Sequence, residues 1–306
     1  MFVVSPDPFM VPAYRISPFK TEHVGLNNQL PDDDFAAHYF DGRFGKGSWQ
    51  YTYNGREAIE LALEYYQLKN DDVVTILTTS ENFYISSCVT KSIEKFCRWN
   101  RELTAETKLV FINHEFGYPY TEMEKIQATG LPIIEDCCTT FFSQDKRQNI
   151  GAYGDFSVYS FPKFFPIQIG GLLVNNGNGK TTSSSDLNAA EQNYIQNVLS
   201  QQLQNIDALL DRKKQNFEYA SAQFSKLGFS LRFQNDQNTV PSVLLLNNNG
   251  VVADLNKLKA FLFENGIQNS VFYGEDAFFV PNHQNMEAAD IDFICACIKV
   301  FINQKL

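Results

Sequence analysis

The sequence has no excess of positive charge: 25 Lys and Arg stand against 35 Asp and Glu, a formal net charge of -10. That excludes a general affinity for nucleic acid or an anionic membrane, and any anion must be met by a local site. No apolar run approaches the length of a membrane span, and Met1–Arg15 lacks the basic start and apolar block of a signal peptide. The six cysteines (Cys88, Cys97, Cys137, Cys138, Cys295, Cys297) are scattered among apolar segments. Neither Cys137-Cys138 nor Cys295-x-Cys297 has the two-residue spacer of a zinc ribbon, so they read as reduced, mostly buried and cytoplasmic. His114 and His283 lie far apart with no ligand spacing and read as structural. The fingerprint G-x-G-x-x-G is absent after the first strand, which speaks against a nucleotide-binding enzyme of dehydrogenase type. There are no internal repeats.

What is present is an ordinary globular composition, 44% hydrophobic and 20% charged over 306 residues, enough for one large core and a smaller lobe. The 27 Phe promise a ring-rich interior. Residues 1–49 read as an irregular arm ordered by packing on something else; in it Arg43 and Lys46 are candidates to meet an anionic ligand. Residues 50–227 read as a larger α/β unit that ends in one long helix, Ala189–Leu227. Within it, Arg56–Leu68 carries a helical stripe, and Gly55 at its start offers N–H groups suited to phosphate. Asp72–Thr79, Lys108–Asn113, Leu131–Ile134 and Asp155–Tyr159 read as strands, alternating with helices at Ser86–Phe96 and Glu122–Thr129. This alternation predicts a mostly parallel sheet wound with helices, whose ligands gather at the strands' carboxyl ends. Gly55, Tyr84, His114, Asp136 and Ser160–Lys163 all follow predicted strands. Asn175–Ser185 reads as a low-complexity loop. Residues 228–306 read as a smaller α+β domain, with strands at Ser242–Leu246 and Ser270–Tyr273 and helices at Leu255–Asn265 and Ala288–Asn303.

Gly154–Gly171, GDFSVYSFPKFFPIQIGG, holds the residue best suited to chemistry. Pro162 ends the regular pairing, and Lys163 follows, bracketed by Phe161, Phe164, Phe165 and Pro166. An ammonium group among so many apolar neighbours needs a partner or a chemical role. Desolvation favours a neutral amine, the form that attacks a carbonyl. The bland alternative is a lysine that snorkels, its head in water.

Asp136, preceded by Ile133-Ile134-Glu135, reads as a buried strand-end carboxylate that needs a cation or a donor. Pyridoxal phosphate (PLP) supplies one, because its protonated ring nitrogen pairs with a carboxylate and makes the ring an electron sink. The phosphate needs a helix start and a hydroxyl, here Gly55-Arg56 and Ser160; the aldehyde needs a lysine, and the free ring face an aromatic. Bland readings stand beside these: Asp136 as a helix N-cap, Ser160 as a turn hydroxyl, Tyr84 as a core ring, and Gly170-Gly171 as a place of close backbone approach.

With these residues the sequence resembles the DegT/DnrJ/StrS family of sugar aminotransferases, from about Gly42 to Phe301. Asn54-Gly55-Arg56-Glu57-Ala58-Ile59 resembles the turn and helix start that bind the cofactor phosphate. Asn82-Phe83-Tyr84-Ile85 is similar to the segment whose aromatic stacks on the ring, which points to Tyr84. His114-Glu-Phe-Gly-Tyr-Pro119 resembles H-x-x-G-x-P, and Ile134-Glu135-Asp136 the E-D that holds the pyridine nitrogen. Gly154-Asp155 to Ser160-Phe161-Pro162-Lys163 and Gly170-Gly171 resemble G-D…S-x-x-K…G-G, which carries the Schiff-base role onto Lys163 and a phosphate contact onto Ser160. Val280-Pro-Asn-His283 resembles the small-domain P-x-H. The resemblance implies a type I aspartate-aminotransferase fold, PLP as cofactor, a homodimer, and transfer of an amino group from glutamate to a nucleotide-linked keto-sugar. Four departures accompany it. Thr139 stands where Gln or His usually faces the cofactor's phenolic oxygen, and Ile169 replaces an acidic residue. The partner-contacting Asn-Arg segment is not recognisable near Leu187–Tyr194, and residues 96–108 are compressed. The alternative these departures raise is a catalytically inactive relative that binds a sugar or a protein.

Overall fold

The computed structural model describes residues 13–177 and 183–304. Residues 1–12 of the arm, and the centre of the Asn175–Ser185 loop, lie outside these.

The arm is less irregular than expected. It forms α1 (His23–Asn27) and α2 (Phe35–Phe44) before strand β1 (Trp49–Thr52). Ala36 and Phe40 of α2, one turn apart, are both fully buried. Phe40 meets Trp49, Tyr51, Phe141 and Phe161 through its ring. Only two positions of α2 are buried, so the helix is held by rings outside it, two of them more than 100 residues away, rather than by a legible stripe.

The chain continues as α3 (Gly55–Tyr65), β2 (Val73–Thr78), α4 (Ser87–Ile93), β3 (Arg98–Asn100), β4 (Thr107–Asn113), α5 (Met123–Gln127), β5 (Ile133–Asp136), β6 (Phe156–Ser160) and β7 (Gly171–Asn175). These strands and β1 make one sheet in the order β1-β7-β6-β5-β4-β2-β3. Its block from β3 to β6 is parallel, and β7 and β1 are antiparallel additions. The expected mostly parallel sheet wound with helices is therefore present. Register carries the consequence for the site: Thr78 pairs with Asn113, and Asn113 with Asp136, so three polar residues stand level at the strands' carboxyl ends. Fully buried Val, Ile, Leu and Phe residues fill the sheet beneath them.

The expected single helix is two, α6 (Ala189–Leu203) and α7 (Ile206–Lys226), interrupted at Gln204-Asn205. Asn188 and Glu191 close a capping box at the start of α6. A second sheet follows from β8 (Ser230–Leu231), β9 (Val243–Asn247), α8 (Leu255–Glu264), β10 (Ser270–Phe272), β11 (Ala277–Pro281) and α9 (Ala288–Gln304), with strand order β10-β11-β9-β8. It is antiparallel throughout and has its own apolar core. Strand β11 is an addition to the expected elements; Ala277–Pro281 is hydrophobic without alternation and ends at a proline, so no local pattern signals it.

Candidate active site

A cleft of about 310 Å³ opens between the carboxyl ends of the large sheet and the face of the small one. Tyr84, Ser86, Asn113, Glu115, Thr139 and Lys163 line one wall, and Val243, Val271, Phe272, Tyr273 and Phe279 the other. The volume is that of a small-ligand site. A more capacious cleft, about 510 Å³, is lined by Tyr118, Tyr153, Arg147 and Phe233 among others, and holds none of the residues predicted for the site.

Lys163 closes a short 3₁₀ turn, Phe161–Lys163, directly after β6. The expected desolvation is corrected here. Its side chain is exposed at the cleft wall, while Phe161, Phe164 and Phe165 are 1% exposed or less. A 3₁₀ turn sends neighbouring side chains to different sides, so the phenyl rings enter the core and the amine leaves it. Among the described residues the amine has no hydrogen-bond or ion-pair partner.

Asp136 ends β5, beside β6, and is 5% exposed. Its Oδ1 accepts the Cys138 N–H at 3.0 Å, forming a local turn rather than a helix cap. Burial raises its carboxyl above the usual range, against the Cys138 hydrogen bonds and the influence of the nearby His114 ring and Lys163 charge. Lys163 is thus close enough for its charge to be felt at Asp136. The carboxylate makes no ion pair among the described residues, as a group awaiting a cationic or N–H partner would.

Glu135, by contrast, is spent on structure. Its Oε1 accepts from the Tyr153 and Gly154 N–H groups and its Oε2 from that of Gly151, with His114 Nε2 at 3.2 Å. His114 Nδ1 accepts from Tyr120 N, so Nε2 carries the proton toward Glu135. His114, Glu135 and Cys137 lie near enough to surround an ion, but the histidine and glutamate already have partners. Gly117 of the same motif sits at φ +98, and a Cβ there would meet the Val240 carbonyl oxygen at 2.5 Å. The motif thus lets residues 240–242 approach the strand end.

Gly55 starts α3, pressed against the Asp136 and Ser160 elements: a Cβ would stand 2.7 Å from Cys138 Sγ and 3.1 Å from Ser160 Cβ. Two of the helix-start N–H groups expected to be open, those of Arg56 and Glu57, are capped by Asn54 Oδ1. Arg56 reaches Cys88 Sγ at 3.3 Å. Burial acts to raise the Cys88 thiol, but hydrogen bonds from Arg56 and Ser86 and the Arg56 and Lys163 charges leave it below its ordinary value. Gly55, Arg56, Ser160 and Lys163 therefore share one neighbourhood. Tyr84 lines the cleft, with its ring 5.2 Å from that of Tyr273. Thr139 lines it too, though its hydroxyl is given to the His114 carbonyl at 2.8 Å. Arg43 lies elsewhere: it stacks on Phe44 and Phe141 and donates to the Phe141 carbonyl, so the anion contact expected of it is corrected to a packing role.

Sequence reasoning passed over the far wall and Glu115. Burial raises the Glu115 carboxyl, although Ser80, Arg101 and Thr78 act against it. The far wall had no signal, because it comes from strands far along the chain from Asp136 and Lys163.

The donor set fits PLP: an unpartnered lysine amine in the cleft, a buried carboxylate without a cation at the adjacent strand end, and a helix that starts at Gly55 beside Ser160, two of its N–H groups being capped by Asn54. The fold is the type I fold seen in PLP-dependent aminotransferases. The structure superposes on the aminotransferase TlmJ of Streptoalloteichus hindustanus with a TM-score of 0.74 and 14% identity, covering 96% of this chain and 100% of that one. It matches the sugar aminotransferase CalS13 of Micromonospora echinospora at 0.66 and 16%, over 95% and 100%. It matches the PLP form of Spr1654 from Streptococcus pneumoniae at 0.72 and 13%, over 98% and 99%. Residues 97–184 match the model of the DegT/DnrJ/EryC1/StrS aminotransferase family. A stretch of 82 residues is 34% identical to GDP-perosamine synthase of Escherichia coli O157:H7, spanning 25% of this chain and 22% of that protein's length. Over the matched residues 97–184 the family resemblance drawn from the motifs is borne out.

Proposed function

We propose that this protein is a PLP-dependent aminotransferase that carries an amino group from glutamate to a nucleotide-linked keto-sugar. The observation that carries the reading is that Lys163, on the cleft wall, follows the strand adjacent to the one Asp136 ends, near enough for its charge to act on that buried carboxylate. The substrate class is supported by the sugar aminotransferases among the structural neighbours and by the name of the GDP-perosamine synthase that shares a segment.

When bound, PLP supplies an aldehyde that takes up an amine and a protonated ring that delocalises a carbanion. Lys163 Nζ is the attachment point and, once released, the base and acid that moves a proton at the substrate carbon. Asp136 keeps the ring nitrogen protonated. Gly55, Arg56 and Ser160 receive the phosphate, and Tyr84 and Thr139 bound the ring. Residues 50–227 form the cofactor domain, residues 228–306 supply the far wall, and the working unit is a homodimer. Among the described residues no helix is long and apolar enough to cross a membrane.

Purified protein given PLP is expected to develop a visible absorption band, which borohydride then fixes onto the Lys163 peptide. Absence of the band refutes the reading. The Thr139 hydroxyl, already committed to the His114 carbonyl, favours the second reading, an inactive relative that binds a sugar or a protein. A band that no amino donor discharges would select it.

A further inference from the structure

The motif Val280-Pro-Asn-His283 has no part in the cleft, yet it enters a chain of buried contacts that ends beside Lys163. Two side chains of α7 read the carbonyls of the segment that follows β11. Lys213, 1% exposed, donates to the Asn282 carbonyl at 2.6 Å. Asn216, one turn later, donates to those of His283 and Met286, each at 2.9 Å. The segment so fixed presents Gln284, whose Nε2 donates to the Phe164 carbonyl at 2.8 Å. Lys213 also stands 5.6 Å from the Phe164 ring centroid.

Phe164 is the residue after Lys163, and its carbonyl is the first main-chain acceptor past the amine-bearing residue. The 3₁₀ turn holds this stretch from one side, through Phe164 and Phe165 N–H to the Phe161 carbonyl. Asn27 of α1 holds the Pro166 carbonyl at 2.8 Å. Gln284 alone among these comes from the C-terminal domain. The Lys163 side chain has no partner of its own among the described residues, so the hold on its main chain is the constraint those residues place on its amine.

We propose that Gln284 is a positioning residue for Lys163, with Lys213 and Asn216 as the struts that place Gln284. The inference rests on the PLP reading of Lys163. Through this contact the 282–286 segment couples the seating of the C-terminal sheet to the position of the reactive amine.

The test compares Gln284→Met, which keeps length and loses the donor, with the parent. In the PLP-free protein, hydrogen exchange at the Phe164, Phe165 and Ile167 amides should quicken about tenfold, with the melting temperature within about 2 °C. On mixing with PLP, the saturating rate of covalent attachment at Lys163 should fall on the order of tenfold. The half-saturating PLP concentration should stay as in the parent. Lys213→Met should act in the same direction; Gln284, being half-buried, is the safer site if that variant folds poorly. An unchanged saturating rate overturns the proposal, whether or not exchange quickens. A large loss of melting temperature with rate and half-saturation changed together also overturns it, because that is general loosening. A parent that attaches no PLP at Lys163 overturns the functional reading and this proposal with it; failure confined to the variant's folding is resolved by Lys213→Met, whose unchanged rate overturns the proposal alone.

Discussion

Lys213 is a lysine in the core with one carbonyl for company, and its titration should be visible in the protein's stability. Burial lowers its pKa from 10.5 to about 7. Between those values the unfolded chain binds a proton that the folded chain does not, so stability rises with pH across that window. The cost of the buried amine is full below about pH 7 and gone above about pH 10.5. Linkage with these two pKa values gives a gain of about 2.5 kcal/mol between about pH 7.5 and 9.5. Lys213→Met keeps the volume and cannot titrate, so subtracting its pH profile from the parent's removes the contributions of all other groups. The assay is urea unfolding of both proteins at about pH 7.5, 8.5 and 9.5. His283, lowered to about 3 mainly by burial and then by Lys213, titrates below this range and does not intrude. The difference in unfolding free energy should climb by about 1 kcal/mol or more per pH unit in favour of the parent. Parallel profiles would refute the reasoning and mean that the amine reaches water in the folded state.

Asp136→Asn retains the turn to Cys138 but cannot hold a protonated ring nitrogen, so transamination should fall on the order of 100-fold while PLP still attaches; undiminished turnover would contradict the assigned role. Lys163→Ala should bind PLP only noncovalently, with no band that borohydride can fix. Gly55→Ala forces a Cβ to 2.7 Å from Cys138 Sγ and should cost about 1–3 kcal/mol in a urea melt. Glu135→Gln turns one acceptor oxygen into a donor facing backbone N–H groups or His114, and should cost about 2–4 kcal/mol without altering the PLP band of whatever remains folded.

Much of the candidate site could be read along the chain because parallel strands place their chemistry at one end. Asp136 and Ser160–Lys163 each close a predicted strand, and those strands are neighbours in the sheet. The same reasoning failed at α2, where ring contacts from four positions outside the helix hold Phe40, and at the 3₁₀ turn, where apolar neighbours in sequence do not surround Lys163 in space. Arg43 misled for a related reason: a guanidinium can face a ligand or stack on phenyl rings, and only the rings' positions decide between the two.

The order of residues alone set the wound sheet, the strand-end aspartate and the lysine after a proline, because side-chain periodicity and turn chemistry act over a few residues. Tertiary structure alone decided that Lys163 is open to the cleft, that Tyr273 and Phe272 face it, and that a buried lysine on α7 reaches the segment gripping Phe164. Those outcomes depend on which surfaces meet when two sheets with separate cores come together, and no local pattern encodes that meeting.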